Sequence, residues 1–148
     1  MAVEPKTILL VEDNPNDAEM TLRALKSHQV LNKIYHVPDG EQALDFIYCR
    51  GKFSTKEKST RLRLIILDLK LPKIDGLEVL RTLKKDPETT QIPIVMMTSS
   101  KEEQDIINSY NLGVNSFVIK PVGFEEFSKA VSELGMYWML LNETSDNK

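Results

Sequence analysis

The sequence predicts an α/β domain, with a five-stranded parallel β-sheet that carries helices on both faces. Five short apolar runs alternate along the chain with longer segments whose apolar residues recur at helical spacing. The first run, TILLV at Thr7–Val11, shows no alternation of polar and apolar residues, which is typical of a strand buried on both faces. Strands that alternate with helices are joined by right-handed crossovers in nearly all sheets.

The first half of the chain supplies two strand–helix pairs and a third strand. The run at Thr7–Val11 precedes a helical pattern at 16–28. A weaker strand, Lys33–Val37, ends in the turn sequence PDG, and a helix at 41–48 follows. The run LRLIIL at 62–67 predicts the third strand.

The second half continues the same alternation. Helical patterns at 77–85 and 102–111 end before Pro87 and Gly113, residues that commonly follow a helix. The remaining predicted elements are strands at 94–97 and Ser116–Ile119 and a final helix from 124 to about 141. The chain from 1 to 148 is therefore expected to form one domain, with a core at about 6–134 and an extended C-terminal helix and tail at about 135–148.

Composition excludes several classes of function. The net charge of −3 opposes strong attraction to nucleic acid or to an anionic membrane. No apolar run approaches the ~20 residues that span a bilayer, and residues 1–6 lack the pattern of a signal peptide. The single cysteine, Cys49, and two histidines, His28 and His36, exclude a disulfide framework and a cysteine- or histidine-rich metal site. We expect a cytoplasmic protein without an organic cofactor, a nucleic-acid partner or a membrane partner.

The segment GKFSTKEKSTR at 51–61 is polar, basic and longer than most links between a helix and a strand. It is expected to be an exposed, mobile loop.

Polar side chains stand where the strands end. Glu12 and Asp13 follow the first strand, Asp68 the third, Thr98 the fourth and Lys120 the fifth. Ligands of such sheets bind outside the carboxyl ends of the strands, so these side chains are expected to converge when the first strand lies inside the sheet. Three carboxylates this close repel one another, and an oxygen-ligand site for Mg²⁺ (or Mn²⁺) would neutralise them.

Each of these residues also has a structural interpretation. Asp13 or Thr98 would cap a helix, Asp68 would cap a turn, and Lys120 would form an isolated ion pair. Each is reasonable singly. Together they would require every strong strand to end by coincidence in a group suited to one reaction.

Four motifs carry a resemblance to the receiver domains of two-component response regulators. VEDN at 11–14 resembles their acidic pair, and DLKLPKIDG at 68–76 resembles their phosphoacceptor segment. MTSS at 97–100 and FVIKP at 117–121 resemble their switch-threonine and lysine segments. The match covers about 6–134. It implies a flavodoxin-like (βα)5 fold and phosphotransfer from the phosphohistidine of a sensor histidine kinase.

The resemblance assigns a role to each matching position. Asp68 would be the phosphoacceptor, assisted by Lys120 and Thr98. Thr98 and Phe117 would form the switch. The implied metal ligands are Glu12, Asp13, Asp68 and the backbone carbonyl of Lys70. The domain would be a phosphoprotein switch rather than a turnover enzyme.

Three rival functions remain beside this one. An aspartyl-phosphate phosphatase would carry a second Asp at position 70, where this chain has Lys70. A nucleotide or flavin binder would need a glycine-rich loop after the first strand, where this chain reads EDNP. A receiver-like binding scaffold would no longer accept phosphate.

Two features indicate a subfamily. The loop at 51–61 and the ending YWMLLNE at 137–143 resemble the cyanobacterial phytochrome response regulators. This resemblance implies light signalling by a phytochrome-type kinase; a phosphorelay intermediate of a non-photoreceptor kinase is the alternative. No output domain is expected after the last helix. Residues 136–141 are apolar on every side, which predicts a homodimer through the C-terminal helix.

Overall fold

A five-stranded parallel sheet forms the centre of the molecule in the computed structural model. The structure describes residues 7–27, 33–54, 62–109 and 116–120, together with 111, 112, 114, 125, 126 and 129. The strands are β1 Thr7–Val11, β2 Lys33–Val37, β3 Leu62–Asp68, β4 Ile94–Thr98 and β5 Ser116–Ile119. The helices are α1 Pro15–Ser27, α2 Gly40–Tyr48, α3 Gly76–Lys85 and α4 Lys101–Ser109.

The strands lie in the order β2-β1-β3-β4-β5. The chain therefore reverses its direction of winding between β1 and β3, and their carboxyl ends flank the crevice where such sheets bind ligands. Val11 pairs with Leu67, and Asp68 pairs with Met97. This register brings the end of β1 beside the end of β3, and the end of β3 beside that of β4.

Apolar cores lie on both faces of the sheet. Ile8 and Leu10 pack with Ala18 and Leu25 of α1 on one face. Leu9 and Val11 of the same strand face the other core, to which α2, α3 and α4 contribute their buried residues. Because β1 is fully buried on both sides, its sequence has no polar alternation.

The predicted fold class, five strands and first four helices are confirmed, with small shifts of their ends. Strands β3 and β4 extend one residue further than predicted, so that Asp68 and Thr98 end strands rather than begin loops. Of the predicted last helix, the structure describes only residues 125, 126 and 129, which are helical. The predicted tail and the self-association segment at 136–141 lie outside the described residues. In the part of the chain that the structure describes, no helix has the length and apolarity to cross a bilayer.

In the predicted exposed loop at 51–61, Gly51, Lys52 and Ser54 are exposed, but the prediction is wrong for Phe53. Gly51–Phe53 forms a short 3-10 helix, and Phe53 is buried. Its ring packs edge-on against Phe46 at 5.1 Å and against Tyr35 at 5.5 Å. One aromatic side chain closes the edge of the core between α2 and β2, although its neighbours in the sequence are polar. Residues 55–61 lie outside the described part.

Gly76 packs closely against the backbone at the end of β3 and so holds the loop between β3 and α3 in place. Its N–H donates to the carbonyl of Leu69 at 2.8 Å. A Cβ at this position would collide with the carbonyl oxygen of Asp68 and lie 2.7 Å from that of Leu69. The preceding residue, Asp75, caps α3 by accepting the N–H of Glu78. The start of α3 is thus tied directly to the end of β3.

We expect Gly76→Ala to lower the free energy of unfolding by about 3 kcal/mol, because rigid backbone must move to admit the methyl group. Urea denaturation would measure the change. Gly51→Ala is the comparison: Gly51 has φ +56° and a Cβ there would meet only the side chain of Asp45. That variant should lose only about 1 kcal/mol, the cost of a left-handed alanine. Equal losses would contradict the close-approach argument.

Candidate functional site

Three carboxylates meet at the carboxyl ends of β1 and β3. Oxygen atoms of Glu12, Asp13 and Asp68 all lie within 4.8 Å of one another. Glu12 is fully buried and Asp68 is 4% exposed, whereas Asp13 is open to solvent. The convergence that the sequence predicted is therefore present for all three acidic residues.

Lys120, one residue beyond β5, brings a positive charge into this cluster. Its Nζ lies 2.7 Å from Oδ2 of Asp68 and 3.0 Å from Oε1 of Glu12. The first contact is a hydrogen bond; the second is an ion pair, and Oε1 of Glu12 has no aligned hydrogen-bond donor among the described residues. Lys120 therefore compensates the two buried carboxylates together.

The site shifts the acidity of its own groups. Burial raises the pKa of Glu12 to about 7. The backbone N–H of Asn14 opposes this rise, because it donates a hydrogen bond to Oε2 of Glu12 at 3.1 Å, whereas the negative charge of Asp68 adds to the rise. Burial alone would lower the pKa of Lys120, but the hydrogen bond to Asp68 and the close carboxylates of Asp68 and Glu12 outweigh it and raise that pKa. Lys120 is thus held as an ammonium ion.

Thr98 ends β4 beside this cluster. Its backbone carbonyl accepts the N–H of Lys120 at 2.8 Å. Its side-chain hydroxyl is buried and finds no hydrogen-bond partner among the described residues. A buried hydroxyl without a partner costs about 1–3 kcal/mol, so an oxygen of an incoming group would satisfy an existing deficit.

Lys70, two residues after Asp68, points its side chain toward α4. Its ammonium is largely exposed and lies 3.3 Å from Oε2 of Glu103. Glu103 in turn accepts the N–H and the hydroxyl of Ser99, both at 2.8 Å. Burial works to raise the pKa of Glu103, but the contacts with Ser99 and Lys70 outweigh it and lower that pKa. The loop after Asp68 is thereby linked to the segment after Thr98.

Phe117 lies in β5, paired in register with Met96 of β4. Its side chain is half-buried and packs against the core under α2, α3 and α4. It does not contribute to the acidic cluster.

Sequence reasoning missed two residues of this site. Asp17 of α1 lies 3.4 Å from Nζ of Lys120, and Glu103 of α4 anchors Ser99. Asp17 could have been found, because it lies in the first turn of the helix that directly follows Glu12 and Asp13, at the same end of the sheet. Glu103 carried no signal beyond the S-x-x-E capping pattern that begins at Ser100.

The side chains present fit a divalent cation. The donors are carboxylate oxygens, the ligands that Mg²⁺ and Mn²⁺ prefer. Counted with Asp17, four carboxyl groups lie around one ammonium, so negative charge is in excess even when Glu12 is protonated. Among the described residues this is the one group of three or more potential metal ligands.

Comparison with known proteins gives a family and several relatives. A profile of the response regulator receiver domain matches residues 8–132. The response regulator Rcp1 of Synechocystis sp. is 38% identical over 135 residues, which cover 91% of this chain and 90% of Rcp1.

Solved structures point the same way. The bacteriophytochrome response regulator AtBRR is 50% identical, with a TM-score of 0.88 over 95% of this chain and 99% of that one. Rcp1 in its Mn²⁺-bound form is 36% identical, with a TM-score of 0.72 over 90% of this chain and 94% of that one. The phosphorylated cyanobacterial phytochrome response regulator RcpA is also 36% identical, with a TM-score of 0.72 over 91% of this chain and 94% of that one.

We expect Mg²⁺ to stabilise this protein through the acidic cluster. At a hundredfold excess over its Kd, a cation that binds only the folded state adds about 2.7 kcal/mol to the free energy of unfolding. Asp13→Asn should abolish most of this gain and should stabilise the metal-free protein, because one of three like charges is removed. Urea denaturation with Mg²⁺ and with EDTA would measure both effects.

The control is Asp105→Asn, which removes an exposed carboxylate of α4 outside the cluster. It should retain the full gain from Mg²⁺. An equal gain in the Asp13→Asn protein would show that the cation binds elsewhere.

Proposed function

This chain belongs to the response-regulator receiver family, and we propose that it accepts a phosphoryl group on Asp68 from the phosphohistidine of a sensor histidine kinase. It is a receiver-domain response regulator related to Rcp1 and to bacteriophytochrome response regulators. The observation that carries the proposal is the contact of 2.7 Å between Asp68 and Lys120 beside two further carboxylates. A nearly buried carboxylate that is paired with an ammonium at the carboxyl end of the sheet is suited to act as a nucleophile.

The transfer forms one bond and breaks another. A carboxylate oxygen of Asp68 bonds to phosphorus while the P–N bond of the phosphohistidine breaks, and the imidazole leaves with the electron pair. Phosphoryl transfer depends on alignment and on neutralisation of the equatorial oxygens. Lys120 supplies one positive charge at the nucleophile. In this proposal the domain assists its own phosphorylation and dephosphorylation but is not a turnover enzyme.

A divalent cation would complete the neutralisation. We assign its carboxylate ligands to Glu12, Asp13 and Asp68 and a further oxygen ligand to the backbone carbonyl of Lys70. The position of Lys70 supports this assignment, because it lines the same cleft as Asp13. Mg²⁺ is the proposed ion, with Mn²⁺ as the alternative, since Mn²⁺ occupies the related protein Rcp1. When bound, the cation would supply positive charge to the phosphoryl oxygens.

Thr98 and Phe117 form the proposed switch. The unpartnered hydroxyl of Thr98 supports a move toward the phosphoryl group, which adds roughly −1.5 to −2 charge units and new acceptor oxygens. Such a move vacates space near β5, where the half-buried ring of Phe117 can turn inward. The surface of α4 and β5 would then repack for a partner protein.

We propose a phytochrome-type kinase as the partner and a cytoplasmic location for this protein. The support is the names of the relatives: AtBRR, at 50% identity, is a bacteriophytochrome response regulator, and RcpA is a cyanobacterial phytochrome response regulator. A non-photoreceptor kinase in a phosphorelay is the alternative. A homodimer through the C-terminal helix remains a prediction, because that segment lies outside the described residues.

The first test is labelling with acetyl phosphate and Mg²⁺, followed by intact mass spectrometry. We expect one added phosphate in the wild type and none in Asp68→Asn, which keeps the shape of the side chain but removes its nucleophilic charge. Asp105→Asn should label like the wild type. Undiminished labelling of the Asp68→Asn protein would assign the phosphate elsewhere, and an unlabelled wild type would favour a binding scaffold.

The second test identifies the kinase. An autophosphorylated bacteriophytochrome kinase should pass its phosphoryl group to this protein at least about tenfold faster than a non-photoreceptor histidine kinase does, a difference of ~1.4 kcal/mol in transition-state binding. Transfer would be followed by gel autoradiography, with Asp68→Asn as the non-accepting control. Faster transfer from the non-photoreceptor kinase would replace the phytochrome assignment with the phosphorelay alternative.

A further inference from the structure

Asp17 contacts Lys120 but has no part in the chemistry proposed above. Its Oδ2 lies 3.4 Å from Nζ of Lys120, across 103 residues of sequence. The start of α1 does not need this carboxylate as a cap, because Oδ1 of Asn14 already accepts the N–H groups of Asn16 and Asp17. The side chain is therefore free to serve Lys120.

The Lys120 ammonium faces three carboxylates: it donates hydrogen bonds to Asp68 and Asp17 and forms an ion pair with Glu12. An ammonium group has three N–H bonds, and its nitrogen lies 2.7 Å from Asp68, 3.0 Å from Glu12 and 3.4 Å from Asp17. A phosphoryl oxygen that approaches Lys120 therefore competes with the carboxylates that keep their charge.

Of the two carboxylates that keep their charge when Asp68 is phosphorylated, Glu12 and Asp17, Asp17 is the one that can be displaced more easily. The side chain of Glu12 is fully buried, and its other oxygen is held by the N–H of Asn14. Asp68 loses its carboxylate charge when it becomes an acyl phosphate, so its contact with Lys120 passes to the phosphoryl oxygens. Asp17 has the longest contact of the three, and 30% of its side chain is exposed to water. If Lys120 moves away, water can hydrogen-bond to the carboxylate of Asp17 in its place, whereas no water reaches the buried carboxylate of Glu12.

We propose that Asp17 is a positioning residue that competes with the phosphoryl group on Asp68 for the ammonium of Lys120. This inference rests on the proposed phosphorylation of Asp68. Removal of the Asp17 charge leaves Lys120 free for the phosphoryl oxygens, so a phosphoryl group should be held more tightly. The same removal weakens the negative field of the cluster, so a divalent cation should be held less tightly.

The experiment measures these two affinities in Asp17→Asn by isothermal titration calorimetry. Mg²⁺ is titrated first; beryllofluoride, which mimics a phosphoryl group on a carboxylate, is then titrated at saturating Mg²⁺. We expect the Kd for Mg²⁺ to rise and the Kd for beryllofluoride to fall, each by about two- to fivefold, the range for a partly exposed ion pair. Damage to the fold would weaken both, so opposite signs exclude a merely structural role.

Glu19→Gln is the matched control. Glu19 lies on the same helix and carries the same charge, but it is exposed and pairs with Arg23 at 2.8 Å. It should leave both affinities within about twofold of the wild type. The inference is overturned when Glu19→Gln reproduces the Asp17 effect, or when Asp17→Asn weakens both ligands or changes neither. A wild type that binds no beryllofluoride would instead overturn the proposed function.

Discussion

The site depends on one ammonium group that compensates two buried carboxylates. Glu12 is fully buried and Asp68 nearly so, and a buried charge without a partner costs several kcal/mol. Lys120 reaches both, at 3.0 and 2.7 Å. Its positive charge is paired with Asp68 inside the protein, while the excess of carboxylates still favours a divalent cation. The same arrangement therefore explains the stability of the site and its expected chemistry.

The sheet makes this arrangement possible. Lys120 follows β5, an edge strand, whereas Glu12 follows β1, which is separated from it by β3 and β4. A long side chain can bridge that distance only because all strands are parallel and end at the same edge. The apolar cores on both faces hold the strands in register, and the contact of Gly76 with the chain after Asp68 keeps the following loop close to β3. Packing far from the charges thus determines their separation.

The sequence was sufficient to predict the strands, four of the helices and the convergence of four site residues: Glu12, Asp13, Asp68 and Lys120. Hydrophobic periodicity marks the strands, and parallel strands bring their ends together. The burial of Phe53 could not be predicted from the sequence. A single aromatic ring among polar neighbours is buried only when residues distant in the sequence, here Tyr35, pack against it. Asp17 and Glu103 were missed for a related reason: each lies on a helix surface, and its role depends on a partner from another element.

The segment after β4 connects the site with the molecular surface. Thr98 has an unpartnered buried hydroxyl on one side of this segment, whereas the next residue, Ser99, is held by two hydrogen bonds to Glu103 of α4. Lys70 pairs with the same carboxylate from the loop after Asp68. A movement of Thr98 toward a new oxygen would satisfy its hydroxyl and pull on Ser99. The start of α4 would then have to follow Ser99 or release its two hydrogen bonds, so a charge added at Asp68 would reach α4.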